Sequence, residues 1–185
     1  MAGILKSFLF PPDFYADDVR DIALICISRY GEREWKTIVL TNEIHGHLGI
    51  YSTLGAKMGL RALELLEESG MGDQPVSVLS FAGSQPPVSC FNDGLQVSTG
   101  ASLGHGRIRI ADDPVKRPSA QFCCGDKCFT LSLKTEYAAQ IGRDIEQGVA
   151  LYGHTEPYWQ YVRELALKYW KAWDRREIFL VSAVK

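Results

Sequence analysis

The sequence has no excess of either charge. Across 185 residues, 20 Lys and Arg stand against 22 Asp and Glu, a net charge of −2. A protein that grips nucleic acid gathers cations against phosphate, so no nucleic-acid partner is expected. No apolar run approaches the roughly 18 residues of a membrane span, so no membrane partner is expected either. The opening segment from Met1 to Phe10 is apolar, but Pro11 and Pro12 cut it off. It lacks the small-residue cleavage pattern of an export signal, and a cytoplasmic protein is expected. Histidine is scarce, with four in the chain. There is no internal repeat or low-complexity linker.

Familiar catalytic signatures are missing too. Gly100-Ala101-Ser102-Leu103-Gly104-His105-Gly106 lacks the Gly-Lys-Ser/Thr ending of a phosphate loop, and it does not open a helix as a dinucleotide fingerprint would. No Gly-x-Ser-x-Gly elbow occurs. The five cysteines are an odd number without an export signal, which argues against a disulfide framework.

What is present is an ordinary globular composition, 46% hydrophobic and 23% charged, enough for one core and one domain over 1–185. Asp17-Asp18 before an apolar stretch, with Gly31 after it, predict a helix over Val19–Tyr30. The β-branched run Thr37-Ile38-Val39-Leu40 predicts a strand. Apolar spacing predicts a helix over Thr53–Glu68, with Gly55 and Gly59 one turn apart for the close approach of either another backbone or a ligand. Val76–Phe81, Arg107–Ile110, Ala120–Cys124 and Cys128–Leu133 read as strands, the last two joined by a Gly125-Asp126-Lys127 turn. Helices are expected over Asp93–Gly100, Thr135–Gln147 and, rich in Tyr and Trp, Tyr158–Arg175. Glu177–Val184 closes the chain as a strand. Hairpins and isolated strands outnumber βαβ units, so the fold class is α+β, with a mixed or antiparallel sheet packed with helices.

The strongest chemical feature is His45-Gly46-His47. Two imidazoles flanking a glycine can turn toward one ion, and neutral imidazole ligates zinc, nickel, copper or iron. The alternative is two histidines that cap a turn. Cys90 is the best third candidate. It lies before a helix start, where the positive helix end favours a thiolate; the alternative is an inert buried thiol. Cys26 reads as a small core residue. Cys123, Cys124 and Cys128 lack the second ligand pair of a zinc knuckle and read as structural thiols. The aromatic helix is either a core helix or a subunit interface. Two such helices, one glycine-rich and one aromatic, lead to the expectation of a homodimer.

Two blocks together carry a resemblance. Ile44-His45-Gly46-His47-Leu48, followed by a glycine-containing helix, resembles the start of the FmdE domain, whose family is named for formylmethanofuran dehydrogenase. Cys90-Phe91-Asn92-Asp93-Gly94-Leu95-Gln96-Val97-Ser98-Thr99-Gly100 is similar to that family's second block, Cys-x-x-Asp-Ala-x-Gln-x-x-Thr-Gly, and Ser102-Leu103-Gly104-His105-Gly106 to its continuation. The resemblance covers about 42–147, leaving the aromatic helix and strand at 156–184 as an extension. Where the family carries cysteines, this chain has Gly49 and Ala101, and Ile50 replaces the family's proline.

The resemblance implies a dimeric α+β domain and a link to molybdenum or tungsten redox chemistry on one-carbon units in anaerobes. On this reading His45, His47 and Cys90 would hold a transition metal, most simply zinc, with nickel or iron as alternatives. Gln96, Gly100 and His105 would line a cofactor or substrate pocket, and a redox-enzyme partner is implied. Two other functions compete. One is a small enzyme in which Cys90 is nucleophile or ligand, Asp93 orients a base and a histidine moves protons. The other is a non-catalytic assembly module that uses the aromatic helix.

Overall fold

The computed structural model describes residues 11–72 and 74–183. The readings of segment 1–10 and of Val184 lie outside these residues. The chain runs through α1 (Asp17–His45), α2 (Ile50–Glu68), β1 (Ser77–Ser80), α3 (Phe91–Thr99), β2 (Ile108–Ile110), β3 (Ser119–Cys124), β4 (Lys127–Leu133), α4 (Thr135–Tyr152), α5 (Glu156–Ala172) and β5 (Phe179–Ala183). The sheet order is β2-β1-β3-β4-β5. Only β1 and β2 are parallel; the other pairs are antiparallel. The fold is α+β, as expected, and no helix among the described residues is long and apolar enough to cross a membrane.

The first helix corrects the strand expected at Thr37–Leu40. Gly31 breaks the helix with φ 84° and ψ 161°, and helical geometry then resumes and runs on to His45. β-Branching disfavours a helix by only tenths of a kcal/mol per residue, and burial outweighs it. Trp35 and Ile38 are fully buried. The hydroxyls of Thr37 and Thr41 donate to the carbonyls of Arg33 and Thr37 one turn back, at 2.7 and 2.8 Å, so neither competes for another backbone conformation.

The α2–α3 pair is built on glycine. A β-carbon at Gly55 would lie 2.0 Å from the Phe91 carbonyl oxygen, and one at Gly94 would lie 2.2 Å from both the Ser52 carbonyl and the Ala56 nitrogen. Any side chain there would push the helices apart. Tight packing is therefore what these glycines serve. This contact seats the start of α3 against the α1–α2 turn.

The sheet buries one face. Ala120, Phe122, Cys124, Leu131 and Leu133 are buried, while Gln121 and Cys123 on the opposite face are partly open. β3 and β4 meet in a two-residue turn, with Gly125 at φ 57°. The directly opposed Cys123 and Cys128 form a disulfide. The cluster read as structural thiols thus holds one disulfide, where the odd count had argued against a disulfide framework, and Cys26, Cys90 and Cys124 stay free.

The aromatic residues of α5 mostly complete the core. Trp170 stacks on Trp35 at 4.7 Å, and Tyr169 on Trp173 at 3.9 Å. Trp159 alone of the helix's large aromatics stays exposed. Beneath α5 lies a buried charge cluster that the sequence did not announce. The fully buried Lys57 donates to Glu34 Oε1 (2.6 Å) and to the Trp173 carbonyl (2.8 Å), and its ammonium lies 4.2 Å from the Tyr30 ring centre. Arg175 bridges Glu34 and Glu64 at 2.7 and 2.6 Å. The cluster ties α1 and α2 to the connection between α5 and β5.

Candidate functional site

Three chain segments converge where α1 ends, α2 begins and α3 begins. Gly46 closes α1 in the left-handed conformation, its N–H reaching the Asn42 and Glu43 carbonyls. Asn42 then clamps the turn. Its Oδ1 accepts from the Gly49 N–H (2.9 Å) and from Ser52 Oγ (2.8 Å). Its Nδ2 donates to the Ile38 carbonyl and to Thr53 Oγ1. Asn42 was not singled out from the sequence. Its position one turn before His45 was the available signal.

The clamp fixes the direction of His45. Nδ1 of His45 lies 2.7 Å from Asp93 Oδ2, in the first turn of α3. The His45 side chain is nine-tenths buried, and its Nε2 has no hydrogen-bond partner. With Nδ1–H donated to the carboxylate, Nε2 presents a bare lone pair. A buried polar atom left this way is uncommon and calls for a partner such as an ion or a water; Trp170 Nε1 is the other such atom among the described residues. A carboxylate behind an imidazole is also how ligand histidines are oriented and made more basic.

His47 stands beside it, with ring centres 4.4 Å apart. Partial burial holds its pKa below the usual 6.5, and the neighbouring His45 adds to this. His47 also lines an open pocket of about 300 Å³ with Tyr15, Asn42, Leu48, Arg163 and Trp170. Arg163 is paired to Asp18 through two hydrogen bonds, at 2.6 and 2.8 Å, so the pocket's cation is already neutralised.

Cys90 caps α3, three residues before Asp93. Its thiol is pushed up, chiefly by burial and further by the Asp93 carboxylate. The expectation of a thiolate favoured by the helix start is corrected: desolvation and a nearby negative charge outweigh the helix end. Gln96, Gly100 and His105 are brought together with one another. Gln96 Oε1 accepts from the Leu103 N–H at 3.0 Å, and His105 Nδ1 lies 3.3 Å from the Gly100 carbonyl. They fasten the loop after α3. Gly100 lies about 10 Å further along the helix axis than Asp93.

Donor chemistry can be tested directly. The bare Nε2 of His45 fits a metal ligand, and His47 supplies a second imidazole. A β-carbon at Gly49, where the family carries cysteine, would lie 3.4 Å from that Nε2. A side chain at position 49 would therefore start beside the unpartnered His45 nitrogen. Among the described residues no three His, Cys, Asp or Glu side chains gather closely enough to enclose an ion. The donors suit an open site, not a closed cage.

Comparison with known families now decides the kinship. The family described as "FmdE, Molybdenum formylmethanofuran dehydrogenase operon" matches residues 44–172. The chain belongs to the FmdE family. The match takes in α4 and α5 as well as the two motif blocks. A curated relative from Archaeoglobus fulgidus, named "Probable S-adenosyl-L-methionine-binding protein", is 30% identical over 79 residues. That stretch is 42% of this chain and 21% of the relative, so the match spans about a fifth of the relative's length.

Proposed function

We propose that this FmdE-family protein is a metal-binding accessory module of one-carbon redox metabolism, of the molybdenum or tungsten formylmethanofuran dehydrogenase type. The observation that carries the reading is the buried His45 imidazole, oriented by Asp93 and left with a bare Nε2. His45 and His47 would hold a transition metal, zinc in the first instance and nickel or iron as alternatives; Cys90, the third donor expected from the sequence, would have to move to join them, because no three such side chains gather among the described residues. The metal would supply a Lewis acid with positions open to water or substrate. Asp93 fixes the His45 tautomer, and the partly covered His47 stays neutral and ready to ligate. A homodimer and a redox-enzyme partner belong to the same reading and rest on the family.

The enzyme reading with Cys90 as nucleophile is less favoured, because burial and Asp93 both keep that thiol protonated. The test is metal analysis of protein purified without a His-tag, then zinc titration of wild type, His45→Ala and His47→Ala. Near-stoichiometric metal that is lost in His45→Ala supports the proposal. Trace metal, with affinity unchanged in both variants, overturns it.

A further inference from the structure

The open face of the sheet carries a disulfide, remote in sequence from His45. The Cys123–Cys128 disulfide joins register partners of β3 and β4. On its other side Cys123 pairs with Ser77 of β1. Beyond β1 lies β2, and the carbonyl of Arg107, the residue before it, accepts from the Val78 N–H at 2.8 Å. Arg107 and Arg109 alternate with the buried Ile108, and Gln121 and Cys123 alternate with the buried Phe122. Period-two alternation puts both pairs on the exposed face. Arg107, Arg109, Gln121 and Cys123 line one open pocket of about 220 Å³. Among the described residues, neither guanidinium has an ion-pair partner. Two cations without an ion-pair partner thus line the same pocket as the half-buried Cys123.

We propose that Cys123–Cys128 is an exchangeable disulfide whose electron donor is a small thiol bearing carboxylates, docked by Arg107 and Arg109. Guanidinium binds carboxylate through paired hydrogen bonds, and an anionic thiolate is drawn to the same charges. The docked thiolate attacks Cys123 Sγ, the Cys123–Cys128 bond breaks, and the pair of electrons leaves on Cys128 as thiolate. A second donor thiolate attacks the mixed disulfide, forming the donor's own disulfide and releasing Cys123. Two donor thiols are oxidised, one protein disulfide is reduced, and both cysteine thiolates take protons from solvent.

The experiment uses the full chain after air oxidation. Thiol counting in denaturant should give three free thiols, rising to five after reduction. Reduction rates are then compared, per thiolate, for mercaptosuccinate and for neutral 2-mercaptoethanol. The dianionic thiol is expected to react about tenfold faster at low salt, the lower end of electrostatic steering. That advantage should vanish at high salt and in Arg107→Gln/Arg109→Gln, while the neutral thiol reacts with both proteins equally fast. Five free thiols after oxidation, equal rates for the two thiols on wild type, or a preference that survives the double variant would each overturn the proposal.

Discussion

The side-chain carbonyl of Asn42 accepts the Gly49 N–H at 2.9 Å, so the last turn of α1 holds the residue that precedes α2. One amide thereby satisfies the N–H of the N-cap residue Gly49 itself, as the reciprocal bond of a capping box would. The turn it fixes contains both His45 and His47. Asn42→Ala should leave the buried Gly49 N–H and Thr53 hydroxyl short of a partner, at a cost of about 1–3 kcal/mol. Urea unfolding measures this. Zinc affinity should fall in the same variant, because the imidazoles lose their fixed spacing. An unchanged midpoint would mean that the turn holds itself.

Asp93 touches two functions at once, with opposite signs. Its carboxylate orients His45 and also raises the Cys90 thiol. Asp93→Asn should weaken metal binding by about 10–100-fold, the usual effect of losing a carboxylate behind a ligand histidine. It should also speed alkylation of Cys90 at pH 8, since a negative charge beside the thiol is gone. Burial remains, so the thiol stays above its ordinary 9.0. Both changes in one variant separate a direct role from general damage, which would speed alkylation at Cys26 and Cys124 as well.

The extent to which the fold was legible varied by element. α2 and the β3–β4 hairpin could be read from periodicity and from Gly125-Asp126, because each is decided locally. Thr37–Leu40 could not, because its helical state depends on Ile38 being buried and on hydroxyls that bond one turn back. His45 was legible as a ligand type. Its partnership with Asp93 was not, since 48 residues separate them and only the glycine contact of α2 with α3 brings them together. The Cys123–Cys128 pairing depended on register, and a two-residue turn sets Cys123, not Cys124, opposite Cys128.

Glu34 balances the buried Lys57 and the largely covered Arg175. Glu34→Gln removes that charge and leaves the desolvated Lys57 ammonium poorly compensated. A loss of about 3–5 kcal/mol is expected, as for other buried pairs broken on one side. Glu34→Leu/Lys57→Met should recover much of it, because desolvation of both charges is then avoided. Thermal unfolding of the single and double variants checks this. A single variant as stable as wild type would show that Arg175 and Glu64 carry the cluster alone.

His47 is held below the usual imidazole pKa of 6.5 by partial burial and by His45. Protons compete with metal for the imidazole, so affinity falls as pH drops through the pKa of the folded protein. A lowered value extends the plateau of metal binding to more acidic pH than an ordinary histidine would allow. Proton NMR of the ring should show His47 titrating below 6.5, moving upward in His45→Gln but not reaching 6.5, since burial is the larger cause. A titration at or above 6.5 in wild type would contradict this environment.

Gly49 offers the sharpest gain-of-function test. Its backbone is extended, with φ −113° and ψ 151°, so a side chain introduces no backbone strain. A β-carbon there meets Ser52 Oγ at 2.7 Å and His45 Nε2 at 3.4 Å. The serine hydroxyl must rotate away, and Ser52→Ala removes that conflict. Gly49→Cys/Ser52→Ala should therefore place a thiol beside the unpartnered His45 nitrogen and, if the proposed metal binds there, add a thiolate donor. Zinc affinity should rise at least about tenfold, or 1.4 kcal/mol. Cobalt bound in its place should show a thiolate charge-transfer band absent from wild type. Gly49→Ala/Ser52→Ala adds the same β-carbon without sulfur and should gain nothing. If the alanine and cysteine variants bind metal alike, Nε2 of His45 is not a metal-facing atom, and the metal reading of this site fails.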